Sequence, residues 1–425
     1  MSAPNKNRWL IAASAVFIHI SIGAAYAYSV YIQPLVETKG WSMASVTTAF
    51  TIMMVLGGGS AALFGKFVER SGPKKSAMLA AVLFGLGQAG SGFAISMDSL
   101  TGFLLSYGLL SGLGLGIGYI APVSTLVKWF PDKRGLATGM AVLGFGTGAL
   151  VTAPVAASLI ESIGISTTFY ILGASYFILM MLGASYIAPP PRNWMPAGME
   201  AAVKAGTKKI KRDLSQATSG EAVKTKHFWM LWTMMLINTS AGIMMISVAS
   251  PMAQNIVGLS AGAAATMVGL MGIFNGGGRL GWAAASDYIS RPKVFIIFFI
   301  IQLVAFITLP IITSAIIFQI FIFLVVSCYG GGFSNLPAFI GDLFGTKELG
   351  AIHGYLLTTW SLGGLIGPTL VSQIYTRTGS YIPVFYVFTV LIVVALIISL
   401  LLNRSVQKVR TEHKKVEYKT STSDS

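Results

Sequence analysis

The sequence predicts an all-α membrane protein, with twelve transmembrane helices in two pseudo-symmetric six-helix bundles. Three observations carry that reading. The 425 residues are 54% hydrophobic and only 10% charged, where a soluble domain carries about 25% charged residues. The mean hydropathy is +0.73. Apolar runs of about 20 residues, the length that crosses the hydrocarbon core as a helix, recur along the whole chain.

The runs fall at about 9–33, 43–64, 76–95, 99–128, 135–160, 165–188, 228–254, 260–284, 293–312, 315–342, 350–374 and 382–403. The first is of full length and is preceded by Lys6 and Arg8, so it reads as a span rather than a cleaved signal peptide. The polar stretch 189–227 opens with PPPRNWMPAG. Its prolines end the sixth span. The expected organisation is a first bundle over 1–188, a cytoplasmic linker over 189–227, a second bundle over 228–404 and a disordered tail over 405–425.

Charge sets the orientation. With both termini in the cytoplasm, 26 of the 29 Lys and Arg lie in cytoplasmic segments. The external loops hold only Lys39 and Arg377, and Arg279 lies within a span. The net charge of +15 is therefore a positive-inside signature and not a nucleic-acid footprint. The expected location is a plasma membrane, or a bacterial inner membrane, and the expected working unit is a monomer in the bilayer.

The halves echo each other. KWFPDKRGLATG follows the fourth span and DLFGTKELGAIHG the tenth; GKFVERSGPKK follows the second and AAASDYISRPK the eighth. Matched loops on six plus six spans point to a repeat around a central pathway. The glycine-rich stretch Gly112–Gly118 lacks the strand that a dinucleotide fingerprint requires, and no P-loop is present. No catalytic serine–histidine–acid set and no metal-ligand spacing is evident inside the spans, so no enzyme activity, cofactor or metal is expected. The single cysteine, Cys328, reads as a small core residue.

The intramembrane polar groups carry the chemistry. A cation at mid-bilayer costs about 2.5–3.5 kcal/mol even on the lenient insertion scale, so Arg279 needs a reason. Asn275 is four residues earlier on the same helical face, and Tyr119, Tyr329, Tyr26 and Tyr28 lie within reach of the same central region. A guanidinium fork with hydroxyl donors on an apolar wall suits a small carboxylate. The alternative is a structural arginine that snorkels toward Asp287, with the tyrosines serving packing. His19 lies about 16 Å into the first span; it is either a proton site or a neutral packing histidine.

The loop holding Gly65, Glu69 and Arg70 resembles the signature G-x-x-x-D-R-x-G-R-R of the major facilitator superfamily, with Glu69 in place of Asp. In the second half Asp287 keeps the acidic position, and Arg291 adds a cation. A carboxylate there can pair with a cation or a helix N-terminus of the opposing half in one state only, as a gate latch; the alternative is a plain solvated turn.

NRWL, WFPDKRGLATG, PPPRNWMPAG, KTKHFWMLW and FNGGGRLGWAAASD together resemble the oxalate/formate antiporter family, related to the monocarboxylate transporters. The resemblance implies that Arg279 binds a substrate carboxylate and that Tyr119, Tyr329 and Asn275 line the cavity. Oxalate-exchanging members carry a second cation, a lysine in the eleventh span; the matching position here is Trp360. One cation matches one carboxylate, which points to a monocarboxylate of the lactate, pyruvate or formate type, moved together with a proton. An oxalate:formate exchanger is the alternative. Mammalian relatives often carry an acid where Asn275 stands, which leaves the proton carrier open.

Overall fold

In the computed structural model, residues 6–191, 194–196, 198–199 and 214–423 are described. They fold as helices joined by short turns. The first span is broken: Arg8–Gly23 passes through a 3-10 turn, Ala24–Ala27, into Ser29–Lys39. The second and third spans form one continuous rod, Met43–Ser96, kinked where Gly72 adopts φ 79° and ψ 163° beside Pro73. Only glycine adopts that conformation without strain. The fourth span is Leu100–Phe103, a π-helical stretch Leu104–Leu110 and Ser111–Trp129. The fifth and sixth are Arg134–Ile163 and Ile165–Tyr186.

The second half repeats the order with Lys226–Val257, Ala261–Ile289, Arg291–Thr308, Ala315–Phe344, Leu349–Thr378 and Ile382–Ser423. At Ser290, the counterpart of Gly72, a serine takes φ 79°. The last helix runs through residues that the sequence reading expects to be disordered.

Among the described residues, nine helices are long and apolar enough to cross a membrane, and one of them, Ser45–Ser96, is bent at Gly72 into two crossings. The eighth and eleventh spans fall outside that set because glycines and polar residues such as Asn275, Arg279 and His353 dilute their hydropathy. Helix starts are capped by side chains of Asn7, Ser42, Ser99, Thr225, Ser260 and Ser314, each accepting a backbone N–H. Such caps matter because water does not reach orphaned donors near lipid. Leu63, Ile311, Ile316 and Val390 are exposed by more than half of their surface, as lipid-facing side chains must be.

Buried side chains divide into two cores, one per half. The first core takes in four residues of the second half: Tyr329, Phe333, Leu357 and Trp360. The halves meet along the second and eleventh spans and along the fifth and eighth. Glycines make those meetings close. A Cβ on Gly65 would sit 2.6 Å from Ala351 Cα, one on Gly354 2.0 Å from the Ala61 carbonyl, and one on Gly135 2.1 Å from the Ala283 carbonyl. Small residues let backbones touch in this way in lipid.

From the linker, Leu214 and Ala217 donate backbone N–H groups to the carbonyls of Asp342 and Phe344 at the end of the tenth span. The Ser219 N–H donates to Glu348 at 2.8 Å, and that hydrogen bond holds the Glu348 carboxyl below its usual pKa. The linker thus satisfies carbonyls that the helix end leaves open.

Candidate functional site: a caged arginine between the two halves

Arg279 is 1% exposed. It does not snorkel; it lies at the seam between the bundles. Its Nε donates to Asn275 Oδ1 at 3.1 Å, the i, i+4 contact that the spacing predicts. Phe145 of the fifth span and Phe333 of the tenth cover it, each ring centroid 5.6 Å from the guanidinium carbon. Each such contact is worth about 0.5–2 kcal/mol, comparable together with the insertion cost of the charge. Glycines give the side chain room: a Cβ on Gly146 would sit 3.3 Å from Arg279 Cδ, and one on Gly330 3.1 Å from its Cγ. Nη1 is buried without a hydrogen-bond partner.

An aromatic cage closes around that edge. Trp360 lies 5.9 Å from Tyr119, 5.6 Å from Phe145 and 5.7 Å from Phe333, ring to ring. Tyr329 meets Phe333 edge-on at 5.3 Å, and half-buried Tyr26 meets Phe145 at 5.1 Å. The buried Tyr119 hydroxyl faces the guanidinium, and neither it nor Nη1 makes a close, well-aligned hydrogen bond. So Arg279, Asn275, Tyr119, Tyr329, Tyr26 and Trp360 share one place.

Tyr28 does not join them. Its hydroxyl donates to the Val46 carbonyl, and its ring stacks on Phe50 and packs against Tyr107. Two residues along this 3-10 turn and helix start is about 200–240° of rotation, so Tyr26 and Tyr28 face different ways. Phe145 and Phe333 were missed by sequence reasoning. Phenylalanine gives no polar signal in an apolar span, although Phe145 stands between Gly144 and Gly146 and Phe333 directly follows Gly330, Gly331 and Gly332.

His19 stacks on Tyr119 at 5.1 Å. Its Nδ1 lies 2.8 Å from the Ala141 carbonyl and its Nε2 3.1 Å from the Tyr119 carbonyl. These contacts tie the first span to the fourth and fifth, all within one half.

The face that bears the basic loops is closed by two carboxylates. Glu69 Oε1 accepts from the Gly350 N–H at 2.6 Å, and Oε2 accepts from Lys128 at 2.8 Å. Gly350 begins the eleventh span, in the other half. Asp287 accepts from the N–H groups of Gly135 and Leu136, both at 3.0 Å, at the start of the fifth span. Arg291 donates to Asp287 at 2.6 Å. Each acid thus sits on a helix N-terminus of the opposite half, where the dipole favours negative charge. Gly65 is the tight crossing beside Ala351, and Arg70 is exposed. Asp342, overlooked in the sequence, adds an inter-half link: it lies 3.4 Å from Arg134 and 3.5 Å from Arg291. Its signal was its place at the end of the tenth span, where Lys128 stands in the fourth; the charge is reversed between halves.

The model of the Major Facilitator Superfamily matches residues 12–284 and 239–423. The chain belongs to that superfamily. It is 31% identical to the oxalate:formate antiporter of Oxalobacter formigenes over 376 residues, 88% of this chain and 86% of that one, which places it in the oxalate/formate antiporter family. It is 24% identical to human monocarboxylate transporter 11, over 88% of this chain and 78% of that one. Its fold matches the crystal structure of FucP in the outward conformation, with a TM-score of 0.70 at 14% identity, covering 92% of this chain and 98% of that one. The protein is accordingly a multi-pass membrane transporter, not an enzyme.

Proposed function

We propose that this transporter carries small monocarboxylates of the lactate, pyruvate or formate type, in symport with a proton, by alternating access. One observation carries the reading. The guanidinium of Arg279, buried within a span, is packed against Phe145 and Phe333 and has one nitrogen held by Asn275, leaving the Nη1 edge for a ligand. One carboxylate fits that edge, with the Tyr119 hydroxyl beside it. Trp360 closes the side from which a second cation would have to reach. A dicarboxylate would therefore keep an uncompensated charge in a low-dielectric cage. The names of the relatives, an oxalate:formate antiporter and a monocarboxylate transporter, support the carboxylate class. The working unit is a monomer, with both termini cytoplasmic.

The conformation reads as outward-facing, with Glu69 and Asp287 as latches of the cytoplasmic gate. Glu69→Gln should slow turnover several-fold while leaving the substrate dissociation constant nearly unchanged, because the amide keeps the shape but loses charge on the helix end. Paired measurements of uptake rate and binding check this; a change confined to affinity counts against the latch.

Reconstitution tests the whole reading. In proteoliposomes, uptake of labelled lactate, pyruvate or formate should be driven by an inward proton gradient with no internal anion. Uptake that needs internal anion and ignores the gradient supports the exchanger instead.

A further inference from the structure

His353 is fully buried, and neither ring nitrogen has a hydrogen-bond partner among the described residues. Each unpaired buried polar group costs about 1–3 kcal/mol. A leucine or phenylalanine would fill the same space without that penalty, so packing does not account for a histidine here. Its position does. His353 is on the eleventh span, seven residues before Trp360, which is two helical turns or about 10.5 Å nearer the cytoplasmic face. Three residues before it, Gly350 carries the Glu69 latch. The Tyr119 ring touches both levels, 5.9 Å from Trp360 and 5.8 Å from His353. Tyr119, whose hydroxyl faces Arg279, therefore bridges from the arginine cage to the imidazole.

We propose that His353 is the proton-binding residue of the transport cycle, and that the Tyr119 side chain links it to the carboxylate docked on Arg279. The inference rests on the symport reading given above. Its charge balance is simple. The empty site holds one cation, Arg279. The loaded site holds Arg279, one carboxylate anion and one imidazolium, again a net single positive charge. Empty and loaded carriers thus meet the same electrostatic barrier when they reorient. The anion also removes the repulsion that Arg279 exerts on a proton nearby, so binding of anion and proton is mutually favourable. On opening of the cytoplasmic gate, the imidazolium gives its proton to entering water and the N lone pair is restored.

Several titratable or charged groups surround His353. Tyr119 of the fourth span faces it directly, and His19 of the first lies behind that ring. Arg279 of the eighth span is an electrostatic neighbour of Tyr119. Glu69 of the second span, paired with Lys128, lies one turn toward the cytoplasm at Gly350. Asp342 of the tenth, with Arg134 and Arg291, closes that same end of the interface. His19 suits the role less well. Its two carbonyl partners belong to its own bundle, so rocking of the halves does not change them. His353 lies at the seam, where its surroundings change in every cycle.

The test uses the full-length protein in liposomes, with lactate, pyruvate or formate as probe, whichever the wild type takes up fastest. His353→Gln should preserve counterflow exchange at equal pH on both sides, which needs no net proton movement. It should lose proton-driven accumulation by about tenfold or more. Accumulation by His353→Gln equal to that of wild type overturns the proposal while leaving symport intact. A wild type indifferent to the gradient overturns the symport reading and this proposal with it. Should the variant lose counterflow as well, infrared difference spectra of wild type carrying 15N-labelled histidine decide. Appearance of an imidazolium band on adding the probe acid supports the assignment, and unchanged histidine bands overturn it.

Discussion

Arg279→Lys should keep the charge and lose most of the transport. The lysine ammonium is a point charge with no planar fork. It gives up the Nε contact to Asn275 and the flat seat between Phe145 and Phe333. Breaking a buried, hydrogen-bonded charge pair costs about 2–5 kcal/mol. Because lysine retains the Coulomb attraction, the lower end applies, a loss of about thirty-fold in affinity. Uptake in proteoliposomes and a thermal-shift titration with the transported acid both read this. Ligand binding raises the melting temperature of the folded form, so the shift seen with wild type should nearly vanish in the variant. Near-normal uptake by Arg279→Lys would remove the carboxylate clamp from the account. Because the arginine is buried, the thermal melt without ligand also reports whether the variant folds.

Trp360→Lys should invert substrate preference. The new ammonium would lie among the rings of Tyr119, Phe145 and Phe333, faces that favour a cation. Two cations across the cage match a dicarboxylate and leave a monocarboxylate with an excess positive charge. A charge-assisted hydrogen bond is worth about 1.5–3 kcal/mol, so oxalate should gain at least about tenfold over formate in competition. Competition by unlabelled oxalate and formate against the labelled substrate measures the ratio. An unchanged ratio would mean that the identity of residue 360 does not set the charge selectivity of the cage.

These two variants separate charge from shape. The first keeps the charge and removes the geometry; the second keeps the geometry of the arginine and changes the charge opposite it. The Glu69 and His353 variants act elsewhere, one on the closure of the gate and one on the coupled proton. Loss of affinity, altered selectivity, slowed turnover and lost accumulation are thus four different readouts from four residues.

The boundaries of the spans were legible because hydropathy and turn chemistry are local. Prolines after the sixth span and basic loops both act over a few residues. The kink at Gly72 was half visible, as a Gly-Pro pair; that the rod continues through it was not. The extension of the first span to Lys39 was hidden by Gln33, Pro34 and Glu37, which lower hydropathy without ending the helix.

The candidate site was legible in part for the same reason. Arg279 stood out because a charge among apolar residues is costly wherever it lies, and Asn275 followed from helical spacing alone. Tyr28 was misplaced because the rotation of the broken first span decides which tyrosine faces inward. Phe145 and Phe333 left no trace, since their value comes from meeting one guanidinium from opposite halves.

Taken alone, the sequence determined the solvent, the number of crossings, the repeat and the cation placed inside a span, since hydropathy, glycine content and charge need no partner to be read. Only the tertiary structure decided which rings cage that cation, which helix ends receive Glu69 and Asp287, and that His353 rather than His19 lies on the seam. Those facts depend on how two bundles some hundred residues or more apart in the chain are pressed together, and no local pattern encodes such a meeting.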